Sequence, residues 1–211
     1  GISSALNAIG CVARDNGQHG ITSVNGGTVT GCTAINNTAN GILALDGCTV
    51  SGCTSRANGS GIVAFERSLI KDCTASANTV DGINVLEGTT IIDCVASENG
   101  ADGIVVLHRS LVRGNTIANN VNRGIFVSAS GYCRIEGNDI AGNDRGLYVL
   151  GAGNVILRNT SSGNTTTNWQ IAANNVFGPI IDRTAPVSAA INGNAAPSSL
   201  GSTDPNANYS Y

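Results

Sequence analysis

Residues 28–45 read Thr28-Val29-Thr30-Gly31-Cys32-Thr33-Ala34-Ile35-Asn36-Asn37-Thr38-Ala39-Asn40-Gly41-Ile42-Leu43-Ala44-Leu45. Short alternating runs (Val29; Cys32 and Ala34; Ile42 and Ala44) are separated by Gly or Asn, which punctuate strands with tight turns. Gly or Asn interrupts every window of helical length, so helices are excluded. The stretch reads as three strands of three to five residues, and it recurs along the chain.

Gly followed by Ile or Leu stands at Gly1, Gly20, Gly41, Gly61, Gly82, Gly103, Gly124 and Gly146, at intervals of 19, 21, 20, 21, 21, 21 and 22 residues. A second column precedes it: Asn16, Asn37, Asn58, Asn78, Asn99, Asn120, Asn143 and Asn164. A third follows: Cys11, Cys32, Cys53, Cys73, Cys94, Asn115, Asn138 and Asn159. Self-similarity at a fixed period of this size marks a solenoid. Three short strands per repeat of about 21 residues predict a parallel β-helix of about eight rungs, identical positions stacking at about 4.8 Å. Ile of the Gly-Ile column is expected inward. Asn is expected at its turn because it tolerates left-handed backbone and its amide can bond along the stack.

Composition agrees. Twenty-eight Gly, 4% aromatic and 12% charged residues force stability to come from many small, repeated contacts. A net charge of −3 gives no footprint for a nucleic-acid partner. No apolar run approaches the roughly 20 residues of a membrane span. The absence of Met, and a first rung motif already at Gly1-Ile2, predict a missing N-terminal segment or a partner domain there. Asn168 to Ile171 reads as a last, degenerate rung, and Val176, Phe177, Ile180 and Ile181 are expected to close the core. From 184 to 211 the composition shifts to Ala, Pro, Ser, Asn and Gly, an extended tail that Tyr209 and Tyr211 could dock.

The seven Cys fit neither a disulfide framework nor a metal site. Five share one inward column, where a free thiol packs as a small hydrophobe and stacked Cβ vectors do not face each other. Cys48 and Cys133 lie about four rungs, or about 19 Å, apart. Thr33, Thr54, Thr74, Thr116 and Thr160 form an outward column that Val95 and Asp139 interrupt; β-propensity explains it better than an ice-binding face.

The three columns resemble the repeat of the pectin-lyase-like superfamily, right-handed parallel β-helices that include pectate lyases, polygalacturonases, alginate epimerases and phage tailspikes. The resemblance spans residues 1–183. It implies a groove on the outer face of one strand per rung, here Thr30, Ser51, Lys71, Ile92, Arg113 and Glu136. The turn before that strand offers Asp46, Glu66, Glu87 and His108, with Arg67 and Arg109 beside them; the turn after it offers Asp72 and Asp93. Asp46, Glu66, Arg67, Lys71, Asp72, Glu87, Asp93, His108, Arg109 and Arg113 are therefore the candidate ligand-binding residues. They suit a sugar polymer, acid–base chemistry on uronic acids, or calcium held between adjacent carboxylates. No catalytic motif of these enzymes is present, and the short turns leave no walls around a substrate. No catalytic residue is assigned.

Asp81, Asp102, Arg123 and Arg145 form a further column, expected to be surface ion pairs. In the strand after Gly-Ile, alternation turns Leu43, Val63, Val105, Phe126 and Tyr148 outward, an apolar stripe expected to be an interface. Side-by-side trimers are the habit of the resembled tailspikes, so a homo-oligomer is expected, with the tail as the competing cover. The functional expectation is an extracellular or cell-surface module that binds or displays towards polysaccharide without turnover. A carbohydrate-active enzyme (lyase, hydrolase or epimerase) and a purely structural stalk are the alternatives.

Overall fold

The structure, a computed structural model, describes residues 1–182 and 204–211. Every element in it is a strand, and all pairs between strands are parallel. The chain winds as a solenoid of about eight turns with three faces. The first sheet stacks strands such as Ile62–Ala64, Ile83–Glu87, Ile104–His108 and Arg145–Val149. The second stacks Leu69–Lys71, Thr90–Ile92, Leu111–Arg113 and Arg134–Glu136. The third stacks Thr74–Ser76, Val95–Ser97, Thr116–Ala118 and Asp139–Ala141. Ile21–Thr30 runs through the first corner without a break and joins the first two sheets.

Alternation buries one residue in two. Ile42, Ile62, Ile83, Ile104, Ile125 and Leu147 stack fully buried beside Ala44, Ala64, Val85, Val106, Val127 and Val149. The Gly before each Ile is needed for close approach, not for backbone freedom. A Cβ on Gly82 would lie 2.6 Å from the Gly103 carbonyl oxygen and 2.7 Å from the Asn99 side-chain nitrogen.

The corners carry the polar half of the fold. Along the Asn column each amide nitrogen donates to the next Asn Oδ1 at 2.6 to 3.2 Å, from Asn16 to Asn164. The same Oδ1 accepts the backbone N–H of the preceding Asn, at 3.1 Å for Asn78 to Asn99. The Asn nitrogen also caps an inward carbonyl, as Asn99 does Ala75. Buried donors and acceptors at a strandless corner are thereby paired.

Two expectations change here. Left-handed backbone falls on the residue before each ladder Asn, not on the Asn: Asn36, Ala57, Ala77, Glu98 and Asn119 have φ between 52° and 58°. The Asn is selected for its amide alone. The Cys column, expected to be merely apolar, is a second ladder. Cys32 and Cys53 donate their backbone N–H to the next Sγ at 3.4 Å, and Cys94 hands over to Asn115 Oδ1 at 2.9 Å. Asn115, Asn138 and Asn159 continue it. The thiols also donate to carbonyls, Cys94 to Ile92 at 3.2 Å. All seven are free, and burial pushes the Cys32 and Cys133 thiols up, away from the reactive thiolate.

The remaining corner has a third ladder, unrecognised in the sequence. Cys48, Ser68 and Thr89 pass their N–H to Ser68, Thr89 and Ser110 hydroxyls at 3.2 to 3.4 Å. Cys133 and Asn154 pass theirs to Asn154 and Asn175. Here too a left-handed residue comes first: Gly47, Arg67, Gly88, Arg109, Tyr132, Gly153 and Asn174.

The end of the coil also departs from expectation. Thr167–Ile171 does form the last strand on the first sheet. Val176 and Phe177 pair with the preceding rung but stay 67% and 49% exposed, so they extend the wall without closing the core. Of the tail expected over 184–211, residues 184–203 lie outside the described residues. Asn208–Ser210 enters the third sheet between Thr160–Ser162 and Ile180–Asp182. Its anchor is not a tyrosine. Asn208 completes the second ladder, accepting from Asn159 at 3.2 Å and donating to the Gly178 carbonyl at 3.0 Å.

Two substitutions of opposite sign follow. Asn99→Ala leaves the Asn78 N–H buried without a partner and is expected to lower unfolding free energy by about 1–3 kcal/mol. Ala57→Gly removes left-handed strain and is expected to raise it by about 1 kcal/mol. Urea midpoints measure both; a neutral Asn99→Ala contradicts the ladder's role.

Candidate functional site

The expected ligand residues do not converge. Asp46, Glu66, Arg67, Glu87, His108 and Arg109 run along the corner between the first and second sheets. Lys71 and Arg113 lie on the outer face of the second sheet, and Asp72 and Asp93 occupy the next corner as its left-handed residues. Within this set the structure brings together Glu87, Arg109 and His108. Arg109 Nη1 donates to Glu87 Oε1 at 2.9 Å, and His108 Nδ1 is 3.7 Å from Oε2. Arg67 pairs with its neighbour Glu66 at 3.6 Å, and Asp46 accepts the Glu66 backbone N–H. Among the described residues no three His, Cys, Asp or Glu side chains are grouped as a metal site.

The denser constellation lies on the outer face of the first sheet, where two columns meet. One is the residue before each Gly-Ile pair: Asp81, Asp102, Arg123 and Arg145. The other is the column two residues after each of those glycines, the polar Asn84 followed by Val105, Phe126 and Tyr148 of the apolar stripe. Their register is fixed by the ladder of pairs Asn84 to Val105, Val105 to Phe126 and Phe126 to Tyr148.

The Asp–Arg column is not the exposed surface pairing expected. Asp102 is 3% exposed, and Arg123 grips it through Nε to Oδ1 at 2.9 Å and Nη2 to Oδ2 at 2.6 Å. Such a two-point pair fixes the guanidinium plane. That plane lies 3.6 Å from the centre of the Phe126 ring, and Phe126 stacks on Tyr148 at 5.7 Å with 20° between the rings. Arg145 reaches Tyr148 at 5.2 Å. The stripe is therefore partly covered by its own chain: Val105 is 8% exposed and is the deepest of the five residues expected at an interface.

Asp81 sits one rung before Asp102. Its Oδ2 accepts from Asn84 Nδ2 at 2.8 Å and its Oδ1 from the Asp102 backbone N–H at 3.2 Å. Burial pushes the Asp81 carboxyl up, against the hydrogen bonds from Asn84 and Asp102 that pull it down. The Arg145 Nε is buried with no hydrogen-bond partner, 3.8 Å from the nearest Asp144 carboxylate oxygen. This face thus combines a flat stacked aromatic pair, a planar fixed cation, an unpartnered N–H donor and a desolvated carboxyl. The column positions were visible in the sequence, but their burial was not. Burial here depends on the neighbouring rungs' side chains lying flat.

A parallel β-helix whose corners carry polar ladders, with a polar–aromatic strip along one outer face, defines a class of solenoid. Residues 46–198 match the family described as the right handed beta helix region, and the chain belongs to that family. Among curated proteins none matches it in sequence. Among solved structures it is similar to the A-module of Azotobacter vinelandii mannuronan C-5 epimerase AlgE6. Identity is 18% over 81% of this chain and 55% of that one, with a TM-score of 0.70. It is similar to the periplasmic alginate epimerase AlgG at 18% identity, over 74% and 45%, with a TM-score of 0.59. The Dettilon tailspike protein follows at 15%, over 83% and 47%, with a TM-score of 0.52. The chain spans about half the length of these structures, and at such identities the likeness is one of fold.

The Asp81 shift sets a pH dependence. A carboxyl whose folded pKa is raised favours the fold below its unfolded value, and that contribution is lost as pH rises through the folded value. Asp81→Asn is therefore expected to be more stable than wild type at pH 7, the difference vanishing below pH ~3.8. Denaturant midpoints at pH 3.5, 5 and 7 measure it; a constant difference across the series contradicts the assignment.

Proposed function

We propose that this β-helix binds polysaccharide along the outer face of its first sheet, as an extracellular or cell-surface module, without turning it over. The observation that carries the reading is the stacked Phe126–Tyr148 pair between the Arg123 and Arg145 guanidiniums. Flat aromatic surface beside planar hydrogen-bonding groups suits a pyranose ring, with an apolar face and a rim of hydroxyls. The partly exposed Arg145 guanidinium supplies outward donors, and Asp81 supplies acceptor oxygens.

Two features speak against turnover. Both carboxylate oxygens of Asp102 are taken up by Arg123, and the face is open, with short corners that exclude no water. The similar solved structures support a sugar ligand: one is named a mannuronan C-5 epimerase, one an alginate epimerase, and a phage HK620 tailspike is described in complex with a pentasaccharide. The raised Asp81 carboxyl favours the enzymatic reading, in which it serves as a proton donor.

A panel of acidic and neutral polysaccharides, followed for binding and for unsaturated-uronate absorbance or reducing ends, separates the readings. The expected outcome is saturable binding without turnover, weakened at least tenfold by Tyr148→Ala. Turnover abolished by Asp81→Asn makes the protein an enzyme. Neither binding nor turnover leaves the structural stalk. Should the face instead join protomers in a trimer, Phe126→Asp lowers the mass by light scattering.

A further inference from the structure

A second cluster lies away from the first sheet, on the outer face of the second. Glu136 is 6% exposed and is approached by arginines from three successive rungs. Arg113 is its register partner on the rung before, with Nη1 at 3.9 Å. Arg134 stands on the same strand and donates through Nε to Oε2 at 2.7 Å, with Nη2 at 2.6 Å. Arg158 belongs to the rung after and donates through Nη2 at 3.1 Å. Three guanidiniums share this one buried carboxylate, in a chain whose net charge is −3.

The arrangement is more than is needed to keep Glu136 ionised. Burial works against that charge, but the hydrogen bonds and charges of Arg134 and Arg158 outweigh it and hold the carboxyl below its ordinary value. Each guanidinium carries five N–H donors, and Glu136 occupies only a minority of them. The three arginine side chains are 48% to 51% exposed, so their remaining donors face solvent. Adjacent rungs stand about 4.8 Å apart, so the three heads lie within reach of one multi-oxygen anion. Glu136 restrains them by pulling each head inward, which lowers the cost of ordering them around a ligand. Asp93, whose carboxylate lies over Gly114 from one rung before, is the carboxylate of the flanking corner that bears on Arg113; it is two rungs away from Glu136.

We propose that Arg113, Arg134 and Arg158, held by Glu136, form a binding site for an oxyanion: a sulfate, phosphate or carboxylate group, free or borne on a polymer. Guanidinium forks match such groups at two points, which ammonium groups do not. The site is independent of the Phe126–Tyr148 face.

The test titrates the full chain with sodium sulfate at constant ionic strength, made up with chloride, and follows the arginine Nε–H resonances. A sulfated and an unsulfated oligosaccharide of the same backbone form the second arm. Saturable shifts confined to Arg113, Arg134 and Arg158 are expected. Arg134→Gln with Arg158→Gln is expected to weaken sulfate at least tenfold, while Arg67→Gln and Tyr148→Ala leave it unchanged. Preference for the sulfated oligosaccharide over free sulfate assigns a polymer-borne anion; equal binding assigns a free one. An absence of saturable shifts, or an equal loss in Arg67→Gln, overturns the site. So does unchanged sulfate binding in the double variant, with thermal unfolding showing that each variant is folded.

Discussion

The structure depends on one recurring corner: a residue in left-handed backbone followed by a short side chain that turns inward and bonds the backbone of the neighbouring rung. At each such corner the flanking N–H groups bond carbonyls of the neighbouring rung, but one N–H meets no carbonyl, and burying it unpaired is costly. Here an Asn amide, a thiol or a hydroxyl takes over the pairing, rung after rung. Because each ladder member serves two rungs, the corners stack in register and the sheets between them follow. The short apolar columns of Ile, Val and Ala then fill the core, with Trp169 packed against it at the last rung.

This constraint decides what could be read from the sequence. The Asn and Gly-Ile columns were legible because a single residue type fills each position. The Asn amide is both donor and acceptor, and only Gly allows the approach at positions such as Gly82. The third ladder was illegible because Cys48, Ser68, Thr89, Ser110, Cys133 and Asn154 serve one purpose with four residue types. The Cys column is the buried apolar stack its spacing predicts, but its hydrogen bonding, shared with the Asn that replace it, was not legible. The docking of Asn208 had no periodic signal, lying far from the rung it completes in the sequence.

The candidate site was legible by position and not by environment. Asp102 and Arg123 stood in a visible column, but their burial follows from Arg123 lying flat on Phe126. The turn residues chosen for their charges are spread over two corners and a sheet face; only Glu87, His108 and Arg109 gather. Inward positions are committed to stacking, so distinctive chemistry is left to outward positions where a column changes character. Among the described residues two such places stand out, the Asp81–Tyr148 strip and the arginines around Glu136, and they face different sides of the coil.

The corner ladders are the central claim, and amide hydrogen exchange on the unmodified protein tests them most directly. The backbone N–H groups of Asn78, Asn99 and Asn120, each bonded to the next Asn Oδ1, lie outside every strand. The account predicts that they exchange as slowly as the strand amides of Ile83 and Ile104, which bond between rungs within the first sheet. Exchange of these Asn amides orders of magnitude faster than Ile83 contradicts it.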